Sequence, residues 1–210
     1  MDSRAARLDA LRSARLYLVT DAREERGDLV EFLDVVLAAG VGIVQLREKN
    51  ADAGELLRAG QVFRGACDRH EALFIVNDRP DVALALGADG VHVGQDDVPV
   101  SICRRILGTD AIIGLSCHSS ADHAGAPDDA DYLTAGPVFA TPTKPDAQAV
   151  GLELVRAAAA SIPAPRPWFA IGGIDAANIA EVRAAGATQI AVVRAITEAT
   201  DPAAAVQALL

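Results

Sequence analysis

Short apolar runs rich in Val, Ile and Leu recur along the chain, and helical patterns lie between them. The pattern predicts eight strands, at Leu16–Thr20, Gly42–Arg47, Leu73–Asn77, Gly90–Gly94, Ala111–Ser116, Asp131–Gly136, Trp168–Gly172 and Gln189–Arg194. A helix is expected after each, over Leu29–Ala39, Gly54–Arg69, Asp81–Leu86, Val100–Leu107, Ser119–Ala126, Leu152–Ser161, Ala176–Ala185 and Asp201–Leu209. Several of these helices stop before a glycine that opens the next strand, as at Gly40, Gly87 and Gly186. Leu8 and Leu11 suggest one more short amphipathic helix ahead of the first strand. Eight βα units in this length make a single (β/α)₈ TIM barrel with a short N-terminal helix the leading fold. A doubly wound open sheet is the runner-up, but it wants a glycine-rich loop after the first strand. Here that strand ends in Thr20, Asp21, Ala22 and Arg23.

The polar residues that interrupt the apolar pattern fall at the C-terminal ends of the strands, where barrels keep their chemistry. Gln45, Arg47 and Lys49 are two apart, so a strand puts all three on one face. Two inward cations are costly unless an anion meets them, and Arg suits phosphate through its bidentate fork. An internal carboxylate pairing with Arg47 is the structural alternative. Asn77-Asp78 and Asp96-Asp97 each close an apolar strand. Carboxylates at one mouth either share a cation, Mg²⁺ beside phosphates being the usual one, or cap the helices that follow. Thr141, Pro142, Thr143 and Lys144 offer hydroxyls and an ammonium on a loop that proline keeps out of helix. Gly172-Gly173 would let a phosphate approach the backbone after the seventh strand. Ser116 shares the inward parity of Ile112 and Gly114, whereas Cys117 points away and reads as a small apolar residue. His70, His92 and His123 show no metal spacing and read as structural or surface residues.

Composition narrows the function. With 210 residues the chain is most simply one domain spanning 1–210, and 51% apolar residues suffice for a core. A net charge of -10 argues against a nucleic-acid partner but not against an anionic small molecule held by a local Arg and Lys cluster. Three scattered cysteines, Cys67, Cys103 and Cys117, fit a reducing compartment. No run approaches a membrane span, and the N-terminus lacks the apolar stretch of a secretory signal. A cytoplasmic protein is expected. Its oligomeric state is open, a homo-oligomer included.

Six ordered segments carry a family resemblance. They are Val44–Lys49, Val76–Asp78, Gly90–Asp97, Ile113–His118, Gly136–Phe139 with Thr141–Lys144, and Ala170–Ile174. Together the chain resembles the thiamine-phosphate synthase family from Leu16 to Ile196. The resemblance implies a Mg²⁺-dependent transferase that joins a hydroxymethylpyrimidine diphosphate to a thiazole ethyl phosphate, free or carboxylated. Thiamine phosphate and diphosphate would be the products, with CO₂ from the carboxylated substrate. By motif, Gln45, Arg47, Lys49, Asn77, Ser116 and Lys144 would hold the pyrimidine diphosphate, with Arg47, Ser116 and Lys144 as the catalytic set. Asp78 and Asp97 would ligate Mg²⁺. Thr141, Pro142, Thr143, Gly173, Val193 and Arg194 would hold the thiazole phosphate. Arg194 departs from the family pattern, which has Ser there. Two other readings share the barrel: a thiazole tautomerase, and a non-catalytic thiamine-precursor binder.

Overall fold

Eight parallel strands close on themselves in chain order in the computed structural model, which describes residues 3–142 and 148–210. They are β1 (Leu16–Thr20), β2 (Ile43–Leu46), β3 (Leu73–Asn77), β4 (Gly90–Val93), β5 (Ile112–Cys117), β6 (Tyr132–Ala135), β7 (Trp168–Ile171) and β8 (Ile190–Val192). Closure is through β1 and β8, with Leu16 opposite Ile190 and Leu18 opposite Val192. The fold is the expected (β/α)₈ barrel. Outside it lie α2 (Leu29–Ala38), α3 (Ala53–His70), α4 (Pro80–Ala85), α5 (Val100–Leu107) and α6 (Ser120–Gly125). They are followed by α7 (Gly151–Ser161), α8 (Ile179–Ala184), α9 (Arg194–Thr197) and α10 (Pro202–Leu209). None of the helices among the described residues is long and apolar enough to cross a membrane.

Side chains alternate between two cores, as a period of two demands. One face of each strand packs against the helices, through residues such as Leu18, Val44, Phe74 and Val91. The other fills the barrel with Tyr17, Val19, Ile43, Ile75, Ile112, Tyr132 and Phe169. Both tyrosines of the chain are inside the barrel. Each meets Phe169 nearly edge to face, with centroids 5.3 and 5.6 Å away.

The lower mouth is stoppered. Helix α1 (Arg4–Ser13) inserts Leu11 into the inner core, and Gln189 donates to the Leu11 and Ala14 carbonyls at 3.0 and 2.6 Å. Asp89, 1% exposed, takes Arg7 at 3.0 Å, Arg64 at 2.8 Å and the Phe74 N–H at 2.9 Å. Asp131 does the same at the base of β6, with Arg4, Arg104 and the Ile113 N–H. These paired, hydrogen-bonded acids leave no group to spare for chemistry at this end. Gly40 and Gly186, with φ of 116° and 110°, make the reused helix-to-strand turn that the sequence suggested.

Two boundaries differ from expectation by more than one residue. Helix α8 starts at Ile179 rather than Ala176, because the Asp175 carboxylate first accepts the Ala177 and Asn178 N–H groups in a turn. Strand β8 ends at Val192, and Arg194 opens the short helix α9 instead of continuing the strand.

Candidate active site

The upper mouth opens on a cavity of about 400 Å³, within the range of small-molecule sites. Its floor is the polar part of the inner core. Gln45 Nε2 donates to the Tyr17 hydroxyl at 2.6 Å, and that hydroxyl is 2.9 Å from the Tyr132 hydroxyl. Tyr132 is 3.0 Å from His92 Nδ1, and His92 Nε2 is 2.9 Å from Ser116 Oγ. Five strands thus contribute one hydrogen-bonded chain, and all its members are buried. Burial raises the pKa of both tyrosines, so they stay neutral.

The rim on the β2 to β4 side carries charge. Arg47 follows the end of β2, lines the cavity and is half-buried. Among the described residues its guanidinium has no ion-pair partner, so the structural alternative of an internal carboxylate is not realised there. Lys49 lies further out and is exposed, close enough to Asp78 to act on its carboxyl. Asn77 ends β3, lines the cavity and donates to Asp78. Asp78 adopts φ 59°, a left-handed backbone that Asp tolerates better than most residues, and its N–H donates to the His92 carbonyl at 2.8 Å.

Asp97 faces Asp78 from the β4 side. Burial, and then the Asp97 charge, push the Asp78 carboxyl up to about 6. Neither residue caps a helix: α4 and α5 have Arg79 and Pro99 at their N-caps, and neither has a side-chain cap. Asp97 Oδ2 instead accepts the Gly94 N–H at 2.8 Å, which braces the β4 turn. The pair is two oxygen donors held together against repulsion. That arrangement fits a hard divalent cation of the kind that takes one or two carboxylates and completes its shell with phosphate and water. No cluster of three or more His, Cys, Asp or Glu able to hold a metal occurs among the described residues.

The opposite rim comes from the ends of β6, β7 and β8. Thr141, Pro142, Gly173, Val193 and Arg194 all line the cavity there. Gly173 has φ 66°, and a Cβ on it would lie 2.7 Å from Phe139 and 3.0 Å from the Ala140 carbonyl, so only glycine lets these loops meet. Among the described residues the N–H groups of Gly173 and Ile174 have no acceptor. Arg194 Nε donates to Glu198 at 2.7 Å, and both side chains stay about half exposed at the rim. Thr143 and Lys144 lie outside the described residues.

A second cavity beside β1 and β2 is lined by Asp21, Glu24, Glu25, Glu48, Glu55 and Glu198, against Arg23 and Arg26. This acidic lining suits an anionic substrate poorly, so the first cavity is the site the chemistry favours.

Comparison with known proteins decides the family. The family model described as thiamine monophosphate synthase matches residues 16–196. The chain belongs to that family. It is 54% identical to the thiamine-phosphate synthase of Streptomyces avermitilis over 201 residues, which cover 95% of this chain and 93% of the relative. It is 56% identical to that of Thermobifida fusca over 197 residues, covering 93% and 90%. Among solved structures, the thiamine phosphate pyrophosphorylase from Pyrococcus furiosus superposes with a TM-score of 0.84 at 38% identity, covering 95% of both chains.

Within this thiamine monophosphate synthase family member, the Ser116–His118 segment needs no nucleophile. Cys117 is fully buried in the outer core, and burial raises its thiol to about 12. His118 instead turns to the Gly136 carbonyl and lines the cavity. Cys117→Ala is expected to keep kcat within about twofold, with a stability loss of about 1 kcal/mol for the trimmed core. Loss of turnover by orders of magnitude, in protein with a native melting curve, would make Cys117 a nucleophile instead. Sequence reasoning missed Tyr17, His92 and Tyr132. His92, set aside as structural or surface, lines the cavity and bonds Ser116. Its inward parity, two residues after the inward Gly90, was the available signal.

Proposed function

We propose that this single barrel domain is a thiamine-phosphate synthase that works by a dissociative, Mg²⁺-assisted substitution. Family membership makes it a transferase of thiamine biosynthesis. The substrates are the hydroxymethylpyrimidine diphosphate and the thiazole ethyl phosphate. Gln45, Arg47, Lys49, Asn77 and Ser116 hold the pyrimidine diphosphate, together with Lys144, which the family resemblance assigns. The β6 to β8 rim takes the thiazole phosphate on Thr141, Pro142, Thr143, Gly173, Val193 and Arg194. A cytoplasmic setting accords with three buried free thiols.

One observation carries the reading: the Asp78 and Asp97 carboxylates are held against each other beside Lys49 and Asn77, while Arg47, which has no ion-pair partner among the described residues, lines the hydrogen-bonded cavity together with Asn77. Asp78 and Asp97 would hold Mg²⁺, whose charge neutralises the diphosphate as a leaving group. Arg47 binds and orients that diphosphate through its fork. The inner core excludes water from the pyrimidine methylene, and the thiazole nitrogen supplies the electron pair for the new bond. A tautomerase or a precursor sensor has no use for a diphosphate rim.

Purified protein given both substrates and Mg²⁺ should release thiamine phosphate, and EDTA should stop it reversibly. Asp97→Asn should raise the Mg²⁺ concentration needed for half-maximal rate by about tenfold or more, since it removes one anionic oxygen from a hard cation. The same change should raise the melting temperature of metal-free protein slightly at pH 7, because it relieves the Asp78 repulsion. Full activity in EDTA would remove the metal from the mechanism.

A further inference from the structure

Among the described residues, two Arg or Lys side chains line the cavity, Arg47 on one rim and Arg194 on the other. The synthase reading brings two anions to this mouth and gives the diphosphate to Arg47. Arg194 is left on the thiazole side, where the family pattern has Ser. A hydroxyl offers one donor and no charge, whereas a guanidinium offers a fork and a full charge. That fork is open. Arg194 Nε donates to Glu198 at 2.7 Å, and Nη1 and Nη2 make no hydrogen bond among the described residues. The pair is badly placed for helix stability. Arg194 is the first residue of α9 and Glu198 its C-cap, so each charge stands at the helix end whose dipole opposes it. Their side chains are 49% and 50% exposed, and exposed pairs contribute little. The turn beneath them is nevertheless anchored. Arg23 is buried, forks onto Asp28 at 2.7 and 2.6 Å, lies over the Phe32 ring and donates to the Thr197 carbonyl at 3.3 Å.

We propose that Glu198 is a positioning residue: it holds Arg194 at the rim through Nε and leaves the Nη pair to bind the phosphate of the thiazole substrate, a charged clamp where the family pattern has a hydroxyl. The unpartnered N–H groups of Gly173 and Ile174 supply the neutral half of the same site. Holding one edge of the guanidinium removes rotamer freedom before the anion arrives, so less is lost when it binds. The phosphate is remote from the reacting thiazole nitrogen. The clamp therefore acts alike on the bound substrate and the transition state, and its loss is felt in KM rather than in kcat. This role rests on the synthase reading above.

Steady-state kinetics with Mg²⁺ and saturating pyrimidine diphosphate test the proposal. Arg194→Ser, which installs the family residue, should raise the thiazole ethyl phosphate KM by about tenfold or more, with kcat within about threefold of wild type. Glu198→Ala should raise the same KM by about threefold or more. Glu198→Gln keeps an oxygen that accepts from Nε and should stay at or below the wild-type KM. Melting temperatures of all three variants should lie within about 2 °C of wild type, as an exposed pair allows. An unchanged KM in Arg194→Ser would mean that the backbone alone holds the phosphate. A lower KM in Glu198→Ala would mean that the carboxylate merely competes with it. Either result overturns the proposal. Absence of thiamine phosphate from wild-type protein given both substrates overturns the synthase reading instead. Calorimetric titration of the wild-type and Arg194→Ser proteins with thiazole ethyl phosphate then still reads the Arg194 contact without turnover, and equal affinities would overturn it.

Discussion

Arg47→Met should lower kcat/KM by about a hundredfold or more while leaving the melting temperature unchanged or higher. The loss corresponds to about 2.7 kcal/mol of transition-state binding, the scale of one charged group meeting a leaving anion. The stability half follows from the surroundings. Arg47 is half-buried at the cavity rim, and no carboxylate lies within ion-pair distance among the described residues. Its cation is therefore a cost in the empty protein, and an apolar side chain of similar length removes that cost. Thermal melts and steady-state kinetics on the same preparations separate the two effects. A fall of several degrees in melting temperature would mean that Arg47 holds the fold together, and the kinetic loss would then say nothing about the diphosphate.

Rules of periodicity reached the barrel and the strand-end residues because they need only local sequence. An apolar period of two locates a strand, and its last inward residues are by construction at the mouth. Gln45, Asn77 and Ser116 were legible for that reason. The hydrogen-bonded floor was not. Its members are separated by 28, 115, 40 and 24 residues, and nothing local says that Tyr17 and Tyr132 meet. Only barrel closure brings β1 and β6 to face each other across the interior. The Asp78 and Asp97 pair shows the converse. Each stands two residues before a Pro, where a helix cap is natural, and local rules left capping open. The structure excludes capping because Asp78 turns left-handed and Asp97 is spent on the Gly94 N–H. Helix α9 escaped notice because four residues are too few for a helical period to register.

The chemical step itself should be sensitive to the electrons of the pyrimidine ring. No side chain of the cavity floor is a free nucleophile: Ser116 is tied to His92, both tyrosines are neutral, and Cys117 faces the outer core. Among the described residues, the acids lining this cavity are Asp175 and Glu198, and both stand on the side of the rim that follows β7 and β8. Asp175 is spent on the Ala177 N–H and Glu198 on Arg194. Among the described residues the cavity floor thus offers no group for a covalent intermediate. It also offers little negative charge to a cation at the pyrimidine methylene, which the departing diphosphate must supply. If diphosphate leaves before the thiazole nitrogen attacks, that methylene is positive in the transition state and neutral in the ground state. A trifluoromethyl group in place of the ring methyl withdraws electrons from it. Turnover should then fall by at least about a hundredfold, a barrier increase of about 2.7 kcal/mol, while the dissociation constant changes far less. The comparison is made in single-turnover mode, so that slow product release cannot mask the chemical step. If the two substrates react at comparable rates, little positive charge builds up. The thiazole nitrogen would then displace diphosphate directly, and the neutral cavity floor would serve orientation alone.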